Sequence, residues 1–152
     1  GKLLKKGVFE ITFNKAFPQV ISRCRHEVRV RQEGTWITDE MEKSYNELHR
    51  LGYAISVEAW VAGTGNLAGG LYGVMLGKAF FGESMFSIYE NASKAAFITF
   101  MQVLQKAKCP IVDCQVETDH LKSLGAEFIS RKEFVHTISK AAKKNTIDFN
   151  KL

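Results

Sequence analysis

Two short stretches place chemically capable polar side chains inside otherwise apolar strands. In residues 111–115, Ile-Val-Asp-Cys-Gln, the two-residue strand period sets Asp113 and Gln115 on one face and Val112 and Cys114 on the other. A carboxylate beside a carboxamide can hold and deprotonate an attacking amine: Asp accepts the proton and Gln orients the nitrogen. The same pair could serve structure alone, with Asp113 pairing a Lys or capping Thr118. In residues 82–87, Gly-Glu-Ser-Met-Phe-Ser, the period sets Glu83 with Met85, opposite Ser84 and Phe86. A carboxylate among bulky apolar groups suits anchoring of a ligand amine, or else an edge strand with one wet side.

Other reactive types are poorly grouped. Cys114 and His120 do not by themselves fix a nucleophile–base geometry, and a buried Cys usually only packs. Asp119 fits a helix cap better than an orienting role toward His120. His26, His49 and His136 lie far apart on polar segments, so no metal is expected. Gly63, Gly65, Gly69 and Gly70 fall inside a hairpin rather than between a strand and a helix N-terminus. They read as turns and close-packing positions, not as a phosphate loop.

Periodicity supplies the elements that must hold these residues. Residues 8–13 alternate as a strand, with Phe9, Ile11 and Phe13 on one side. Residues 16–25 predict a short helix with Pro18 in its first turn, followed by a polar loop over 23–35. Thr38 opens a helix with Asp39 and Glu40 in its first turn, a buried stripe of Met41, Tyr45 and Leu48, and Gly52 at its C-terminal cap. The period then becomes two. Strands over 53–60, 67–75 and 79–86, with turns at 62–66 and 77–78, make an antiparallel meander. Asn91 or Ser93 caps a long helix whose apolar positions Phe97, Phe100, Met101 and Leu104 follow helical spacing. Beyond Pro110 come a strand over 111–116, a brief helix over 119–124 ending at Gly125, and a strand over 127–130. A last helix over 132–144 buries Phe134, Val135, Ile138 and Ala142.

This order describes an α+β domain, a mixed sheet flanked by helices, and it is the order of the acetyltransferase-type (GNAT-like) fold. Such a fold carries the pyrophosphate of coenzyme A on a Gly-rich turn leading into the long helix. Here residues 88–94 read Ile-Tyr-Glu-Asn-Ala-Ser-Lys, without a Gly, so the usual donor site is not expected.

Composition agrees with one ordinary domain over 1–152. The chain is 45% hydrophobic and 24% charged, and its eleven Phe, four Tyr and two Trp offer ample surface to bury, which excludes disorder as the main state. No apolar run approaches the roughly 20 residues of a membrane span, and residues 1–7 lack the pattern of a signal peptide. An opening Gly without Met suggests a tag scar or a chain cut from something longer. Cys24, Cys109 and Cys114 form an odd set without paired-ligand spacing, which favours a reducing cytoplasm. The net charge of +5 is uneven: residues 1–33 hold +5, residues 131–152 hold +4, and the middle holds −4. Basic ends around an acidic body could face nucleic acid or could be ordinary solvated surfaces.

Taken together, Glu33-Gly-Thr-Trp-Ile-Thr38, Gly69-Gly-Leu-Tyr-Gly-Val74, Gly82-Glu-Ser-Met-Phe-Ser87, Asn91-Ala-Ser-Lys94, Asp113-Cys-Gln115 and Ser123-Leu-Gly-Ala126 stand in the order found in the bacterial leucyl/phenylalanyl-tRNA–protein transferases. The chain resembles that family from about Phe9 to Phe134. The resemblance implies an acetyltransferase-like catalytic domain that moves Leu or Phe from aminoacyl-tRNA to the N-terminal Arg or Lys of acceptor proteins, marking them for degradation. It implies no cofactor and no metal, because the donor ester is already activated. By that resemblance Asp113 draws the proton of the acceptor amine through Gln115. Leu71, Phe80, Met85, Phe100 and Val112 line the pocket for the donor side chain, Trp36 stacks on the terminal adenosine of the tRNA, and Glu83 sits beside an amine. Val112 points away from Asp113 on an ideal strand, so a bulge or a splayed strand is needed for both to reach one site. The family's N-terminal domain has no counterpart here, Thr118 stands where an Asn is common, and the tail after Phe134 matches poorly. The runner-up is an aminoacyl-tRNA-binding module without catalysis. A small-molecule N-acetyltransferase is a third reading, which the Gly-free turn before the long helix argues against.

Overall fold

The computed structural model describes residues 8–27, 38–114, 131–144 and 146–149. Five strands, β1 (Phe9–Phe13), β2 (Ala54–Val61), β3 (Asn66–Leu76), β4 (Ala79–Ser87) and β5 (Ile111–Cys114), form one sheet in that order. The pairs from β1 to β4 are antiparallel, and β4–β5 is parallel, so the sheet is mixed. Four helices are described: α1 (Phe17–Glu27), α2 (Asp39–Arg50), α3 (Ala92–Lys106) and α4 (Arg131–Ala141). The expected strand over 127–130 and helix over 119–124 lie outside the described residues.

The interior strand β2 is covered on both faces and is buried from Ala54 to Ala59. Ile55, Val57 and Ala59 join Leu71, Met75, Phe80, Phe97, Phe100 and Leu104 in a core under α3. The opposite face packs Tyr72 and Phe86 with Phe17, Val20 and Ile21 of α1, and with Met41, Tyr45 and Leu48 of α2. Two layers of helix on one sheet give each apolar stripe a partner.

The predicted caps of α2 are observed. Thr38 Oγ1 accepts the Met41 N–H at 3.1 Å, and Gly52, at φ +91°, lets the chain reverse while Tyr53 N–H donates to Leu48 O. α1 extends to Glu27, past the expected boundary, and the rest of the expected loop lies outside the described residues. α3 is capped differently from either expectation. Asn91 adopts a left-handed backbone without a side-chain cap, and Ser87 at the end of β4 instead accepts the Ser93 N–H through its Oγ at 3.1 Å. A Cβ on Gly69 would stand 2.8 Å from Ala92 Cβ and 3.0 Å from Ser93 N, so the first turn of α3 sits tightly against β3.

The β3–β4 turn joins both helix ends. Lys78 N–H donates to Ala141 O at the end of α4, and Lys78 Nζ donates to Ala107 O just past α3, both at 2.9 Å. Gly77 adopts φ +58°, and a Cβ there would collide with the Ala141 carbonyl oxygen. The burial predicted for α4 is corrected by this contact. Val135 is 56% exposed and Ala142 is exposed, whereas Ala141 is fully buried against Ala79 and Ile138 is half-buried beside it. The turn meets the helix at its C-terminal end, so the apolar face rotates toward Ala141. The side chain of Phe134 is outside the described set.

Glu58 is a fully buried carboxylate on β2. Thr12 Oγ1 donates to it at 2.6 Å, Lys15 N–H at 3.1 Å and Ser56 Oγ also donates, while Trp60 Nε1 donates to Thr12 Oγ1 at 2.8 Å. A buried carboxylate needs that many donors to offset its lost hydration. The network fixes β1 on β2 and sets the start of α1.

Candidate active site

Glu83 is placed by an irregularity in β4. Gly73 pairs with Gly82 and Tyr72 with Ser84, which leaves Glu83 as the extra residue of a bulge. A bulge re-aims the side chain it carries. Strict alternation would group Glu83 with Met85 on the α3 face; instead its carboxylate lies close enough to the Tyr45 hydroxyl of α2 to interact with it. The Tyr45 ring packs edge-on to Tyr72 at 5.4 Å, within the α1–α2 face. The expectation that Glu83 and Met85 share a face is thus corrected.

Asp113 lies on β5 beside Phe81 in the parallel ladder and is half-buried. Burial pushes the Glu83 carboxyl above its ordinary range, the Tyr45 hydrogen bond pulls it down, and the negative charge of Asp113 pushes it up again. Burial first, and then Glu83, push the Tyr45 phenol up to about 12, so it remains a donor throughout the neutral range. Two carboxylates and a phenol therefore interact at the β4–β5 edge.

The five apolar residues expected to line one pocket do gather. Leu71 neighbours Met85 across β3–β4, Phe80 neighbours Val112 across β4–β5, and Phe100 of α3 meets the Phe80 ring edge-on at 4.7 Å. Leu71, Phe80 and Phe100 are 3%, 1% and 0% exposed, whereas Met85 and Val112 are half-buried. The accessible margin of the cluster therefore lies at Met85 and Val112, next to the acids. β5 pairs in regular register from Ile111 to Cys114, so Val112 and Asp113 occupy opposite faces and the bulge lies on β4.

Trp36, Gln115, Thr118 and His120 lie outside the described residues, as does the Cys114 side chain. His49 is accounted for structurally: Nδ1 bonds the Ala54 carbonyl at 2.8 Å and the ring stacks on Phe17 at 4.4 Å. Among the described residues no group of three His, Cys, Asp or Glu is gathered to hold a metal, and no helix is long and apolar enough to cross a membrane. Tyr45 is the site residue that sequence reading missed. The stripe of Met41, Tyr45 and Leu48, expected to be buried, is only half-buried, and its spacing gave no sign that the Tyr45 hydroxyl reaches a carboxylate.

A mixed sheet of this order with a long helix after the fourth strand is the arrangement of the acetyltransferase fold. The chain is similar to a probable acetyltransferase (TM-score 0.62, 8% identical, covering 80% of this chain and 91% of that one). It is also similar to an aminoglycoside acetyltransferase from an uncultured soil metagenomic sample solved with sisomicin (TM-score 0.60, 12% identical, covering 82% and 93%). Sequence narrows the class further. Residues 1–139 match the model of the leucyl/phenylalanyl-tRNA protein transferases, and the chain belongs to that family. It is 47% identical over 145 residues to the leucyl/phenylalanyl-tRNA–protein transferase of Myxococcus xanthus, covering 95% of this chain and 61% of that one. It is 48% identical over 149 residues to the one of Syntrophus aciditrophicus, covering 98% and 62%. The chain thus spans about three fifths of the length of the curated relatives it matches.

Proposed function

We propose that this chain is a catalytic domain that transfers Leu or Phe from aminoacyl-tRNA to the N-terminal Arg or Lys of an acceptor protein, in a reducing bacterial cytoplasm. The observation that supports the reading is one apolar cluster, in which Met85 and Val112 are the half-buried members, with two acids on the other face of the same strands. The donor side chain packs against Leu71, Phe80, Met85, Phe100 and Val112. An apolar hole lined by unbranched and aromatic side chains with a flexible Met suits two ligands of different shape. The ester carbonyl then lies at the margin of that cluster, and the acceptor amine approaches from the side of Glu83 and Asp113.

The amine attacks the carbonyl, an amide C–N bond forms, and the ester C–O bond to the tRNA ribose breaks. The amine must lose a proton as it attacks. Asp113 takes it, acting through Gln115 as the family resemblance assigns, while Glu83 attracts the positive charge of an amine. Trp36 supplies an aromatic platform for the terminal adenosine, and the basic residues of 1–33 and 131–152 contact phosphates without reading sequence. At the start of α3 the Ser93 N–H is already bonded to Ser87, and Ala92 fills the space over Gly69. That leaves a pyrophosphate little to bind there, and weighs against acetyl-coenzyme A as donor.

The test is transfer of labelled Leu from Leu-tRNA to an Arg-initiated peptide, with Asp113→Ala expected to cut kcat/KM by about 100-fold. Full activity in that variant removes Asp113 from the mechanism. The alternative reading is an aminoacyl-tRNA-binding module without catalysis. Salt-dependent binding of aminoacyl-tRNA with no transfer selects it.

A further inference from the structure

Beyond the family match, which ends at residue 139, the chain returns to the core: Phe149 is 4% exposed and Ile147 packs against the same apolar cluster. The Phe149 ring lies 5.9 Å from Phe100 and 5.8 Å from Phe13, and Phe13 in turn lies 6.3 Å from Phe100. Phe100 is therefore held between Phe80 on one side and the Phe13–Phe149 pair on the other. Fully buried itself, it can recede only where those two rings recede.

We propose that Phe149 is a specificity-determining residue, the brace behind Phe100 that sets how deep a donor side chain can enter. A phenyl group needs more depth than an isobutyl group, and that depth is gained by pushing Phe100 back toward β1. The brace thus acts through Phe100 without touching the donor. The proposal rests on the donor-pocket reading of the apolar cluster.

The probes are adenosines carrying Phe or Leu on the 3′ position through a stable amide, with affinities measured by calorimetry on the full chain. Phe149→Ala is expected to raise the ratio of Phe to Leu affinity by about tenfold, and Phe149→Leu to raise it by less. A structural role alone would lower the melting temperature and weaken both probes equally. An unchanged ratio in the variants, or a wild-type chain that binds neither probe, overturns the proposal; if Phe149→Ala does not fold, the ratio in Phe149→Leu decides alone. A wild-type chain that binds both probes but transfers neither amino acid in the assay above refutes the transfer step, and the ratio still judges the brace.

Discussion

Removing the Tyr45 hydroxyl tests how the acid pair is held. Among the influences on Glu83, burial and Asp113 disfavour its charge, and only the Tyr45 hydrogen bond favours it. A hydrogen bond to a charged group contributes about 1.5–3 kcal/mol when shielded. Glu83 is only half-buried, so water competes and roughly 1 kcal/mol remains. Without that bond nothing opposes burial and Asp113, so Tyr45→Phe raises the Glu83 pKa further. The sign for stability follows from proton counts. The folded chain holds Glu83 above its unfolded value, so between the two values it binds more protons than the unfolded chain. Stability falls as pH rises through that window, and the cost is complete above the folded value. Tyr45→Phe extends the window upward. Urea unfolding is therefore expected to show a larger loss at pH 8 than at pH 4, by about 1 kcal/mol. The acid limb of kcat/KM for transfer is expected to move up with it. Equal destabilisation at both pH values, or a limb that moves down, refutes the reasoning.

Two further substitutions probe the scaffold around the site. Gly77→Ala forces a left-handed backbone on Ala and displaces α4 from the Lys78 N–H, a combined loss of about 2–3 kcal/mol in urea unfolding; faster exchange of the Lys78 amide should accompany it, and an unchanged rate would show that the turn does not hold α4. Ser87→Ala deprives the first turn of α3 of its cap, at about 1 kcal/mol, and should accelerate exchange of the Ser93 amide in particular. Uniform acceleration along α3 would contradict the capping role.

Features written in local pattern were legible. Thr38, the Met41–Tyr45–Leu48 stripe and Gly52 defined α2, and the period change after Gly52 revealed the meander. The apolar residues of the proposed pocket also clustered as expected, because strand neighbours and a helical stripe follow from spacing. What escaped depends on a partner elsewhere in the chain. The bulge at Glu83 appears only when β4 is laid against β3, where Gly73 and Tyr72 pair around it. The cap on Ser93 comes from Ser87, which reads as the last residue of a strand. Val135 sits at a helical position that looks buried, but the docking turn at Gly77 and Lys78 selects the neighbouring face. Phe149 follows a stretch without periodicity, and nothing local marks it as core.

The bulge also explains how one strand serves both halves of the proposed reaction. Regular alternation through 82–87 would turn Glu83 into the apolar cluster beside Met85, where an unpaired carboxylate costs several kcal/mol. One extra residue sacrifices part of a ladder bond, about 1 kcal/mol, and delivers the carboxylate to the Tyr45 hydroxyl on the other face. The smaller cost wins. Leu71 and Met85 then remain a purely apolar surface for a donor side chain, while the negative charge that attracts an ammonium group collects with Asp113 across the sheet. Charge and grease are thereby kept apart by a single strand thickness.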